Sequence, residues 1–490
     1  MDSTTIPFGE FLPDQPDFQN PGLTKAQNVI PTPGGYGPFQ GPSATGSTVT
    51  GSVAGAAMYF DSDGAAVYVG GTGSALFVRQ GGTVSTTAVS ALGANEFWRF
   101  ARFNNFIVAV SPSHAPRYLT DLATDTTWGA LGGSPPTARV VGVVGKFLVL
   151  GDIGSTRSRA QWSAYNDPTA TWAYNKRKQS GLFDFPGAGG NVTAITDADA
   201  PILFQERAMW RFPDVGGPAT FRRDPLSEAI GCIAPGSVVT RGRLRYFLSQ
   251  EGFHASDGAG VQDISRQRVF DWFLAEAEPT LIDQTHGAWD VENRCIRWAF
   301  KSRFGTGDVF DRQIVYSYSE ERWSTAETSV RYLTRAQQDA VTFADIEANA
   351  ATIDEITNYA TWDDPALRAQ GNVLGAWTAS GSNSALSVYT GDALEADLET
   401  GEFQPRPGSR VFVSGLRPEL EGAANAAIAV RSNTAGSAVD YGTYTSQGAD
   451  GFCPMRKDGM YARAAVKIPA ASNWAKASGV TARFRVSGRR

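Results

Sequence analysis

The side chains that most often carry chemistry are few and scattered in this chain. There are 3 histidines, His114, His254 and His286, and 3 cysteines, Cys232, Cys295 and Cys453. A zinc site draws such residues together at short spacings, as in C-x2-C or H-x3-H. Here they lie tens of residues apart, so spacing points to no metal centre. An odd, dispersed set of cysteines reads as three buried thiols rather than a disulfide framework. No GxSxG, HExxH or CxxC occurs. The run GVVGKF echoes a phosphate loop, but no Ser or Thr follows Lys146. Asp61-Ser62-Asp63-Gly64 resembles the opening of a calcium loop, but Thr72 stands where that loop needs its closing carboxylate. A hairpin turn explains it better. The carboxylate pairs Glu320-Glu321 and Asp363-Asp364 are adjacent. On a strand, neighbours point to opposite faces and cannot flank one glycosidic bond. The sequence therefore assigns no catalytic, cofactor-binding or metal-binding residue.

What remains is the chemistry of contact. Lys176, Arg177 and Lys178 form a basic cluster suited to an acidic partner. Arg241, Arg243 and Arg245 alternate, which on a single strand would place all three on one face. The net charge is -6, from 43 basic and 49 acidic residues, which argues against tight, sequence-independent binding of nucleic acid. The first 50 residues are rich in Pro and Gly, yet carry Phe8, Phe11, Phe18, Tyr36 and Phe39. A disordered tail has no use for such anchors. They predict an extended N-terminal arm over 1–50 that packs on a neighbouring subunit or on the second domain. These five aromatics, with Lys176 and Arg177, are the subunit-contact candidates. The opening residues lack a basic n-region and an apolar h-region, so no secretory leader is expected. No run of 18 apolar residues exists to span a membrane as a helix.

The elements that position these residues are short. With 53 Gly and 26 Pro, turn-forming residues are about 16% of the chain, above the usual share. From residue 52 onward, β-rich runs alternate with turn signals such as Asp63-Gly64 and Asn104-Asn105. Similar blocks begin near residues 53, 97, 138, 191, 229 and 285, a mean spacing of about 46 residues, which suits propeller blades. Trp128, Trp172 and Trp323 fall late in their blocks, where a ring can wedge between blades. The predicted fold is all-β: a propeller of about six or seven blades over 51–330, an interblade excursion over 331–370, closing propeller strands over 371–404, and a C-terminal β-sandwich over 405–490.

A resemblance carries the reading further. LPDQPDFQNPGLTKAQNVIPTPGGYGPF resembles the opening of tail proteins of short-tailed phages. TFADIEANAATIDEITNYATWDDP and LSVYTGDALEADLETGEFQPRPGSRVFVSGLRPEL are similar to their late propeller segments. GFCPMRKDGMYARAAVKIPAASNWAKASGVTARFRVSGRR is similar to their terminal β domain. The match through 52–324 is looser. The resemblance implies a tail nozzle, or tail hub, of a podovirus-like bacteriophage: a structural virion protein without enzymatic activity or cofactor. It implies a homo-oligomeric, sixfold ring below the portal and adaptor, contacts with fibres or spikes, and DNA passing through without tight binding. The implied location is the tail tip of the virion, after synthesis in the host cytoplasm. The competing expectation is a carbohydrate-binding or carbohydrate-active propeller that recognises a host receptor.

Overall fold

The computed structural model describes residues 2–18, 20–196, 200–337, 371–432 and 439–489. The chain is nearly all β. Seven antiparallel units follow one another, and their first strands are Val53–Phe60, Arg99–Phe103, Ala138–Val144, Val192–Ile195, Val239–Arg241, His286–Asp290 and Tyr332–Gln337. Each unit has four antiparallel strands; they are consecutive except in the fourth unit, where a separate two-stranded hairpin precedes the last strand, and in the seventh, whose last strand comes from early chain. The first strands of neighbouring units approach one another around a central opening, so the arrangement is propeller-like. Within that opening lie two cavities, of about 310 Å³ and about 290 Å³, that share Ala56, Ala57, Val238, Thr240 and Tyr332.

Local sequence explains the units. Second strands such as Phe147–Ile153 and Cys295–Phe300 are buried at every position, and the others are buried through their centres. They carry sheets on both faces, so they read as continuous apolar runs rather than alternating ones. The hairpins use the turn residues expected of them. Asp61 Oδ1 accepts hydrogen bonds from the amides of Asp63 and Ala65 at 2.9 and 2.8 Å, which makes a local turn rather than an ion cradle. Tryptophans fill the gaps between units. Trp128 packs with residues of the first and second units, Trp172 with those of the second and third, and Trp323 beside Phe253 and Trp298. Trp98 lies so close to Gly71 that a Cβ there would meet its ring at 2.2 Å.

The first 50 residues pack within the chain, on the C-terminal strands and on the sixth and seventh units, which is the intramolecular one of the two surfaces expected for them. Asp2–Pro7 pairs with Ala477–Arg489, Leu23–Gln27 lies between Arg322–Ala326 and Ala396–Thr400, and Ser43–Val49 is the outermost strand of the seventh unit. That last pairing joins early chain to late chain, because its partner is Asn383–Val388. The range 371–404 is divided. Asn372–Ser380 and Asn383–Val388 belong to the seventh unit, whereas Ala396–Thr400 lies beyond it, between Leu23–Gln27 and Tyr461–Ile468. Of the excursion expected over 331–370, Tyr332–Gln337 is the first strand of the seventh unit, and 338–370 lie outside the described residues.

Leu23–Gln27 has a structural consequence. It extends the sixth unit into a nine-stranded sheet that continues through Ala396–Thr400, Tyr461–Ile468 and Asn425–Arg431. A second sheet is built from Val29–Thr32, Gly35–Pro38, Ala477–Arg489, Ser409–Leu420 and Cys453–Gly459. The two sheets share one core, with Val411, Val413, Val480 and Ala482 on one side and Leu398, Ile428, Ala464 and Val466 on the other. Phe253, Trp298 and Trp323 of the fifth and sixth units belong to that same core.

Candidate functional site

The aromatics expected at subunit contacts are mostly spent inside the chain. Phe8, Phe11, Tyr36 and Phe39 are buried. Phe11 meets the edge of Trp272 with centroids 5.8 Å apart, and the Tyr36 hydroxyl donates to the Gly9 carbonyl at 3.0 Å. Phe39 and Tyr389 enclose the guanidinium of Arg297, 4.3 and 4.6 Å from the two ring centroids. A side chain buried against its own chain presents no face to a neighbouring copy, so these four are corrected to intramolecular anchors. Phe18 alone is exposed, at 39%, and it rests edge-on against Tyr461.

Polar groups lock the same seam. Both carboxylate oxygens of Asp14 accept amide hydrogen bonds, from Trp272 at 2.8 Å and Asp271 at 2.9 Å. They satisfy the free donors at the start of the helix Phe270–Glu276 from more than 250 residues away in sequence. Arg268 pairs with Glu10, and Lys25 with Asp397 at 2.7 Å. Beneath Phe39, Arg297 and Asp290 form an ion pair with both side chains almost wholly buried. Burial by itself works against the Arg297 charge, but Asp290 and its other neighbours hold the group protonated, above its usual range. Sequence reasoning missed this pair. Its signal was the Asp290-to-Arg297 hairpin spacing, which becomes meaningful only once both faces of the sheet are covered.

Lys176 and Arg177 are where contact chemistry remains available. Both are exposed in the loop between Thr156–Trp162 and Gly181–Asp184. Tyr174 is 75% exposed beside them, and Tyr165 is exposed in the same loop. Below Tyr174 lies a recess of about 240 Å³ lined by Trp162, Asn175, Gln179, Phe183 and Thr220. Two of these hold left-handed backbone, Gln179 at φ 57° and Thr220 at φ 54°. For a β-branched residue such a conformation is strained. The second basic cluster differs from its sequence expectation. The chain turns at Gly242, so Arg241 and Arg245 sit on different strands. Arg245 is fully buried and donates to the carbonyls of Arg243 and Ala200.

The residues screened for catalysis are dispersed and enclosed. His114, His254 and His286 are buried in the second, fifth and sixth units. Burial, with the charge of Arg99 nearby, lowers the His286 pKa to about 3. Its ring stacks on Tyr332 at 4.6 Å. All three thiols are buried. Burial pushes Cys232 and Cys453 up to about 11, and raises Cys295 as well, which keeps all three as unreactive thiols near neutral pH.

No family model matches the chain, and no curated protein does. Solved structures similar to it include the Pan2 WD40 domain of Neurospora crassa, at 7% identity and TM-score 0.38, covering 69% of this chain and 90% of that one. BamB from Moraxella catarrhalis is similar at 12% identity and TM-score 0.35, covering 79% and 98%. YCF48 bound to D1 peptide is similar at 10% identity and TM-score 0.34, covering 58% and 84%. Similarity of this degree adds nothing to what the strand pairing shows.

Proposed function

We propose that the chain is a structural protein of a phage tail, a seven-bladed propeller joined to a C-terminal β-sandwich, and that copies form a ring-shaped nozzle through which DNA leaves the virion. The observation that carries this reading is the nine-stranded sheet. A conduit must transmit load between subunits, and a sheet that runs from the sixth unit through the Gln27–Thr325 pair into the C-terminal strands, over one shared core, ties the two parts together. The likeness of both chain ends to tail nozzle proteins supports it. Ring contacts are heterologous, so each copy needs two different complementary surfaces. The exposed Lys176–Lys178 loop with Tyr174 supplies one of them, facing an acidic surface on the next copy or on an adaptor, fibre or spike. In this reading the protein is not an enzyme, and its place is the virion tail tip. Negative-stain imaging of the purified chain at micromolar concentration tests it. Rings of about six copies with an open bore are expected; particles that stay monomeric at every concentration reject it.

The recess under Tyr174 favours a second reading, a carbohydrate-binding propeller. It combines an exposed aromatic ring with the polar side chains of Asn175 and Gln179, a pairing that suits a sugar face and its hydroxyls. Glycan-array binding that Tyr174→Ala abolishes would select this reading over the nozzle.

A further inference from the structure

Arg99 begins the first strand of the second unit, yet its guanidinium reaches across the central opening. Its Nη1 donates to the Tyr332 hydroxyl of the seventh unit at 3.2 Å. Its nitrogens lie over Gly236, just before the fifth unit, where a Cβ would come within 3.2 Å of them. It also acts on His286 of the sixth unit. The side chain therefore floors the opening near the end where the first strands begin. Above it, the two joined cavities are lined by the hydroxyl-bearing Thr193, Thr196, Thr240, Thr334 and Tyr332, with Arg102 and Arg335 as their other charged residues. Among the described residues neither lining contains a carboxylate; Arg99 also borders a third, smaller cavity together with Glu96, Arg139 and Asp283. Among the described residues Arg99 has no ion pair, and Arg102 donates only to the carbonyls of Phe60 and Asn104.

Three arginines bordering joined cavities whose described lining holds no carboxylate make the local potential positive, which attracts an anion. Guanidinium groups present paired N–H donors that match an oxyanion. Among the described residues Arg99 donates one hydrogen bond, to a neutral hydroxyl, which leaves other N–H donors for a ligand. The volume exceeds that of one small anion and suits a ligand-sized guest. His286 stays neutral beside Arg99, so it adds no charge of its own to the floor over the ordinary pH range.

We infer that the central opening is a binding site for a phosphate-type oxyanion, free or carried on a small organic molecule, seated on Arg99 with Arg102 and Arg335 at the rim. The inference does not rest on the nozzle reading.

The test is isothermal titration of the full chain at low salt in a chloride buffer, with inorganic phosphate in one arm and adenosine monophosphate in the other. Saturable binding in either arm is expected, and the tighter arm identifies the source of the phosphate. Arg99→Gln should weaken it by at least about tenfold, the loss of one charge-assisted contact. Lys176→Gln, on the outer loop, should leave it unchanged. If Arg99→Gln fails to fold, Arg335→Gln at the rim replaces it and should weaken binding several-fold. No saturable binding in either arm, or binding that the channel variants leave intact, overturns the site.

Discussion

At the scale of single residues, buried charge sets the sharpest expectations. Arg297 is enclosed by Phe39 and Tyr389 and paired with Asp290. Arg297→Met leaves the Asp290 carboxylate buried without its cation, so urea unfolding should show a loss of about 3–5 kcal/mol. Replacing both, as Arg297→Met with Asp290→Leu, should recover most of that loss, because the desolvation cost of the orphaned charge is gone. His286 gives a pH signature. Its folded pKa, about 3, lies below the unfolded value of 6.5. Between those two values the unfolded chain binds a proton that the folded chain does not. Stability therefore falls as pH drops from about 6.5 toward 3, by up to about 1.4 kcal/mol per pH unit from this group. Denaturant midpoints across that range should fall less steeply in His286→Phe than in the native sequence. Parallel curves would show that His286 is already reached by protons in the folded state.

At the scale of elements, the first 50 residues bear most weight. Their strands complete the seventh unit, extend the sixth, and pair with Ala477–Arg489. Deleting residues 1–38 removes Phe8, Phe11 and Tyr36 from the core and the Asp14 cap from the helix Phe270–Glu276. The truncated chain should lose cooperative unfolding in calorimetry, rather than fold normally and fail only to assemble. A truncated chain with an unchanged melting temperature would show that the weave is dispensable. The contact between Gly71 and Trp98 makes a finer probe. Gly71→Ala forces a Cβ into the indole at 2.2 Å, an overpacking expected to cost about 1–3 kcal/mol. Trp98→Phe in the same chain should return part of the loss.

At the scale of the whole molecule, charge distribution governs assembly. The chain is acidic overall, whereas Lys176 and Arg177 stand exposed on one loop. The double variant Lys176→Glu, Arg177→Glu should keep its melting temperature and lose higher-order species in analytical ultracentrifugation. Unchanged assembly would remove this loop from the contact surface. A ring of such copies should also bind duplex DNA weakly, since each phosphate contact adds affinity and salt dependence. Filter binding with a steep salt slope would mean a basic bore and would reject passage without sticking. The acidic segment 339–364, whose charge would suit the lining of such a bore, lies outside the described residues.

The β class, the turn positions and the repeat near 46 residues were legible in the sequence because they are local. Asp63-Gly64 and Asn104-Asn105 announce their hairpins whatever surrounds them, and Trp128, Trp172 and Trp323 reveal their interfaces by recurring at one phase of the repeat. Partnership was not legible. Phe8 and Phe39 announce burial, but a one-dimensional pattern does not say whether the surface covering them belongs to the same chain. The Arg241, Arg243 and Arg245 pattern looked like one face until Gly242 turned the backbone between them. Arg99 looked like any strand-end arginine, because its position depends on three other units that lie between about 135 and 235 residues further along the chain. Residue type and spacing determined which segments become strands and which side chains must be hidden. Only the closed tertiary arrangement decided what hides them, since burial and charge pairing depend on distances that sequence separation does not record.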